Sequence, residues 1–144
     1  MRRRLAELRR LTAAERRALL LAWALLLLAP LLLRVRPLPR LLRPTRAGRG
    51  GRLDPDRIAW LVAVAARYAP GTGCLPAALV TGWMLARQGT TATLRVGVAR
   101  HAGRLTAHAW LEHDGRSLLA GSGADAYAPI LALTVAEPPQ GTPR

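Results

Sequence analysis

Cys74 is the only cysteine in the sequence, and it stands where a helix should begin. Pro76 fits a helix only in its first turn, which puts Cys74 at the N-terminus of a helix running to about Arg87, where Gly89 ends it. Unpaired N–H groups and the positive end of the helix dipole favour a thiolate at such a place. The same N–H groups can hold the oxyanion of a tetrahedral intermediate. A thiol nucleophile also needs a base. Among His101, His108 and His113, His108 is the candidate, because it lies inside the strand pattern Ala107-His108-Ala109-Trp110-Leu111-Glu112. Its alanine neighbours leave room for another element, such as the cysteine helix. The competing reading of Cys74 is a small buried apolar side chain, a common fate of free cysteines.

The elements around this pair follow from patterning. Asp54-Pro55 opens a helix, with Asp54 as N-cap, Pro55 at the first position and an apolar stripe of Ile58, Leu61, Val62 and Ala65 running towards Tyr68. Thr91–Arg100 alternates as a strand, and His101–Arg104 is a turn. Leu105–His113 is a second strand, Asp114-Gly115 a hairpin turn, and Arg116–Ala120 a third strand. Tyr127–Val135 makes a last strand, at an edge because of Pro129. Alternation puts His108, Trp110 and Glu112 on one face. Glu112 lies roughly 13 Å along the strand from His108, too far for a direct hydrogen bond. His101 and His113 sit beside turns, in expected solvent.

Upstream the composition changes. All 22 basic residues are arginine, and the net charge is +14. Residues 1–52 carry 14 arginines against Glu7 and Glu15, a balance of +12, and the remainder only +2. Thr12-Ala13-Ala14-Glu15 is a capping-box pattern that starts a helix. Ala18–Leu33 is uncharged and leucine-rich but contains Pro30, and it falls short of the ~20 residues that span a bilayer. Three readings compete for it: a helix buried or facing a partner, a helix in the membrane interface, and a transmembrane span. Prolines 37, 39 and 44 and glycines 48, 50 and 51 mark a linker. The expected organisation is a basic apolar helical arm with linker at 1–50, a catalytic core at 51–136, and a disordered tail at 137–144. The single cysteine makes no intrachain disulfide, which points to the cytoplasm. The absence of HExxH or CxxC spacing argues against a metal site. No interleaved aromatics or RNA-binding motif supports nucleic-acid recognition.

The order of cysteine helix, strand, histidine strand and hairpin resembles the transglutaminase-like (papain-like) core, an α+β fold. More specifically, Cys74-Leu75, Ala78-Leu79, Leu85-Ala86-Arg87-Gln88-Gly89, Ala92-Thr93-Leu94, Gly97-Val98 and Ala107–Glu112 with Gly115 resemble the leader peptidases of lasso-peptide biosynthesis. Those are the stand-alone peptidase halves of the split B proteins. The resemblance covers about residues 54–123. It implies a cofactor-free bacterial cysteine peptidase that removes the leader from a ribosomally made precursor peptide. It would work with a separate leader-recognition protein, ahead of a lasso cyclase. Cys74 matches the nucleophile and His108 the general base. The family's third residue is an acid near Ala120, which this chain lacks; Asp125 is the nearest downstream substitute, with Glu112 and Asp114 as others. The other readings are a different Cys–His acyl-transfer enzyme of this fold and a non-catalytic basic adaptor. The apolar arm, with residues 18–33 available to a membrane, is expected to dock a partner, the cyclase or lipid. Its removal is expected to spare the active-site fold.

Overall fold

The computed structural model describes residues 9–42, 52–119 and 124–135. The expected helix start before Arg9, the linker glycines, Ala120 and the tail at 137–144 lie outside them. Helix α1 spans Ala13–Val35 and α2 spans Leu38–Leu41. Helices α3 (Pro55–Ala66) and α4 (Cys74–Arg87) follow. Four strands follow among the described residues: β1 (Ala92–His101), β2 (Arg104–His113), β3 (Arg116–Ser117) and β4 (Ala128–Val135). A single 3-10 turn, Ala124–Ala126, precedes β4. The sheet is antiparallel in the order β3-β2-β1-β4, so the fold is α+β.

The helix starts follow the capping logic of the sequence. The Thr12 hydroxyl accepts from Glu15 N–H at 3.2 Å, and the Glu15 carboxylate accepts from Thr12 N–H at 2.8 Å. Asp54 caps α3 by accepting from Asp56 N–H at 2.9 Å. Both two-residue hairpin turns, Ala102-Gly103 and Asp114-Gly115, have positive φ at each position, as the right-handed strand twist demands. The third strand ends at Ser117 instead of reaching Ala120. Beyond Ser117, among the described residues, the Leu118 N–H to Leu111 carbonyl bond, 2.8 Å, holds the chain to β2.

Helix α4 lies between the α1–α3 pair and the sheet. Its sheet side approaches closely at Gly82, where an added Cβ would meet Leu111 Cδ1 and Val135 Cγ2 at 3.4 Å. Leu94, Ala109, Leu111 and Val135 face it from the strands and are buried. On its other side, α1 contributes Ala18, Ala22, Leu26 and Ala29. Their spacing of four, four and three puts them on one helical face. Three of the four are alanine, which lets the backbones come close. Glu15 pairs with Arg57 Nε at 2.5 Å, fastening the start of α1 to α3, and Trp23 Nε1 donates to the Tyr68 carbonyl at 3.0 Å.

This packing bears on two expectations. The segment read as a separate arm supplies buried residues to the same hydrophobic cluster as α3, α4 and the sheet. Deleting it would strip one side of the cysteine helix. The helix is also longer than the uncharged run: 23 residues through Pro30, long and apolar enough by length and composition to cross a membrane. Leucines continue on both sides of the proline, and the buried stripe carries on to Ala29 beside it.

Candidate active site

Cys74 is the first residue of α4 and is exposed, so it is not the buried apolar cysteine of the competing reading. Gly73 precedes it as an N-cap in extended backbone, without a side-chain cap. The Cys74 and Leu75 amides therefore have no acceptor among the described residues, as expected for a first helical turn. Pro76 has no N–H to offer, and the first intrahelical bond runs from Ala77 N–H to the Gly73 carbonyl at 3.3 Å. Two N–H donors are left beside the sulfur.

The thiol meets β2. Ala109 N–H donates to Cys74 Sγ at 3.4 Å. The sulfur thus sits at the residue immediately after His108, although 34 positions separate the two in the chain (108 minus 74). The strand parity explains why it fits. Leu111 accepts from Leu118, and His113 pairs with Arg116, both on the side away from β1. Ala109, two residues earlier, turns its groups the same way, into the space that β3 is too short to fill. The same parity turns the backbone groups of Ala107 and Leu105 outward, where no described backbone group pairs with them.

His108 is half-buried and projects from the sheet face opposite α4. It pairs across with Gly97 of β1. Its ring is held by two others: Trp110, stacked at 6.0 Å and 19°, and Tyr127, tilted at 5.1 Å and 38°. Gly97 makes this possible, because a Cβ there would meet Trp110 Cη2 and Cζ3 and Tyr127 Cβ, all at 2.9 Å. The Trp110 ring is fixed in turn, its Nε1 donating to Glu112 Oε1 at 3.0 Å while Arg95 Nε donates to Glu112 Oε2 at 2.6 Å. Partial burial pushes the Glu112 carboxyl up, but the bonds from Trp110 and Arg95 outweigh it and hold the group below the ordinary glutamate range.

The other expected groups fall elsewhere. Asp125 is exposed on the 3-10 turn, two residues before Tyr127, and makes no hydrogen bond or ion pair among the described residues. The oxygens of Glu112 are occupied by Trp110 and Arg95. Asp114 stands by His113, 3.3 Å from Nε2. His113 itself is not in solvent: its side chain is 17% exposed and Nδ1 lies 2.7 Å from the Thr91 carbonyl oxygen. His101 is exposed, as its turn position implied. No group of three or more metal-ligating side chains occurs among the described residues.

The sequence reading missed Tyr127 as a neighbour of His108 and the outer edge of β2, which is unpaired beyond β3 among the described residues. Gly97 inside a strand was the available signal for a close approach. Finding what approached it required the β1–β4 register and the bulge between Val96 and Gly97.

A family model described as the transglutaminase-like superfamily matches residues 17–132. No curated protein and no solved structure matches the chain.

Proposed function

Because the chain belongs to the transglutaminase-like superfamily, we propose that Cys74 and His108 perform thiol acyl transfer, with water as the final acceptor and a peptide as the acyl donor. The observation that carries this reading is the Ala109 N–H aimed at the exposed Cys74 sulfur, which joins the helix N-terminus to the histidine strand. A hydrogen-bond donor directed at sulfur supports negative charge on it.

In the proposed cycle the Sγ proton passes round the outer edge of β2 to the His108 ring through a bridging water, because the ring projects from the sheet face opposite α4, and sulfur adds to the scissile carbonyl carbon. The oxyanion is held by the Cys74 and Leu75 amides. Collapse breaks the C–N bond, and the proton on His108 passes to the departing nitrogen. Water then attacks the thioester carbon and gives its proton to His108, and the regained proton restores the thiol as the carboxylic acid leaves. The Trp110 and Tyr127 rings orient the imidazole, a task that an acid performs in the family pattern. Asp125 makes no hydrogen bond to the His108 ring among the described residues.

The substrate assignment rests on the leader-peptidase resemblance of residues 54–123: a ribosomal precursor peptide, cut between leader and core, in the cytoplasm. A separate leader-recognition protein would deliver it, and a lasso cyclase would use the product. The outer edge of β2, unpaired at Ala107 and Leu105 among the described residues, supports an extended peptide, since these offer strand-pairing groups in line with the thiol. The test is mass spectrometry of a candidate precursor incubated with the protein and its leader-binding partner. Wild type should cut one leader–core bond, and Cys74→Ala and His108→Ala should not. Equal cleavage by Cys74→Ala would overturn the assignment. A product heavier by an added amine, instead of two fragments, would move the activity to amine acyl transfer.

A further inference from the structure

Helix α1 is apolar on both sides. One side is the core face already described. The other exposes Leu20 (67%), Trp23 (42%), Leu27 (43%), Leu28 (51%), Leu31 (58%) and Val35 (65%). Their spacings of three, four, one, three and four keep them on one stripe along the helix. An uncovered aliphatic stripe of this length is costly in water.

We propose that this stripe lies in the surface of an anionic lipid bilayer, with α1 parallel to the membrane plane. Three observations favour lipid over a protein partner. First, the stripe ends in charge at both sides: Arg16 and Arg17 precede Leu20 at helical spacing, and Arg34 follows Leu27 by two turns, all three exposed. About 26 Å separates Arg17 from Arg34 at 1.5 Å per residue, so both ends reach phosphates while the leucines between them enter the acyl boundary. Second, the stripe offers nothing to hydrogen-bond. Its one polar atom, Trp23 Nε1, is committed to the Tyr68 carbonyl. Protein interfaces carry about one hydrogen bond per 100–200 Å² to fix their register, whereas lipid needs none. Third, Trp23 and Tyr68, the latter 68% exposed, stand together at the rim, the aromatic pair that suits the headgroup level.

The geometry also selects lying over spanning. Ala18, Ala22, Leu26 and Ala29 face the protein core along the helix, and α3 alongside carries Asp56 and Arg57. Crossing the bilayer would drag those charges into hydrocarbon. The inference does not depend on the chemistry of Cys74.

The full chain is to be centrifuged with vesicles of phosphatidylcholine alone and of phosphatidylcholine with phosphatidylglycerol, at low and high salt. Wild type should sediment with the anionic vesicles, and high salt should weaken the binding. Leu28→Glu/Leu31→Glu should lose at least tenfold in vesicle affinity, with an unchanged circular dichroism spectrum. If that variant misfolds, quenching of tryptophan fluorescence by brominated lipid decides instead. Wild type should be quenched, and Trp23→Phe should lose that quenching. Wild type remaining in the supernatant would overturn the proposal. So would equal binding by folded Leu28→Glu/Leu31→Glu. A wild-type dimer that Leu28→Glu/Leu31→Glu dissociates, without vesicle binding, would assign the stripe to a second copy of the chain and overturn it too.

Discussion

Gly97→Ala tests the histidine clamp most directly. A Cβ at residue 97 would stand 2.9 Å from two atoms of the Trp110 ring and from Tyr127 Cβ. Carbon atoms in good contact sit about 3.5–4.0 Å apart, so at least half an ångström must open in two directions at once. Neither neighbour can give way easily. Trp110 is only 4% exposed and tied through Nε1 to Glu112. Tyr127 Cβ is bonded directly to the backbone one residue before β4. Overpacking of this kind costs about 1–3 kcal/mol. Alanine recovers about 0.4–1 kcal/mol by restricting the unfolded chain, since Gly97 is not at positive φ. Overlap wins, leaving a net loss of about 0.5–2 kcal/mol. At about 2–4 °C per kcal/mol for a domain of this size, the melting temperature should fall by roughly 1–8 °C. The effect on the site should exceed the effect on stability, because both rings that hold His108 must move. With one cysteine in the chain, the alkylation rate by iodoacetamide reads Cys74 alone. Its pH profile in folded Gly97→Ala should differ from that of wild type. A variant with unchanged melting temperature and unchanged profile would refute the clamp.

Two further changes probe the supports of the site. Thr12→Ala removes half of the capping box at the start of α1, and chemical denaturation should show a loss of about 1 kcal/mol; Thr12→Ser should restore it. Glu112→Gln should flatten the acid limb of the stability curve. A carboxyl held below its ordinary value contributes stability that is full above the unfolded-state value. That stability is lost as pH falls through the lowered folded-state value. Urea unfolding from pH 6 downward should therefore show a shallower decline for Glu112→Gln than for wild type, and an identical slope would remove Arg95 and Trp110 from the account.

Local chemistry made much of this molecule legible. Thr12 with Glu15, Asp54 with Pro55, Cys74 before Pro76, and Asp114-Gly115 each act within a few residues, and each gave an element close to its observed bounds. Cys74 and His108 stood out because thiol–imidazole chemistry needs those two types and the chain offers one thiol; the structure brings Ala109, the residue after His108, to that sulfur. What failed was long-range. Leucine-rich composition does not say whether a face is covered by protein, lipid or nothing, so α1 read as an arm when Ala18, Ala22 and Ala29 were its docking contacts with the core. His113 read as solvent-exposed because a turn follows it, while the Thr91 carbonyl lies across the hairpin. Tyr127 met His108 only through a strand register that no local pattern encodes.

The single core shared by α1 and the cysteine helix has a thermodynamic consequence. The outer surface of α1 and Cys74 unfold together, so they belong to one folding equilibrium. Any ligand that binds only the native outer face of α1 stabilises the fold that carries Cys74 by RT ln(1 + [L]/Kd), about 2.7 kcal/mol at a hundredfold excess over Kd. The folded fraction of Cys74 would then depend on where the protein is located, without a conformational signal passing from one surface to the other.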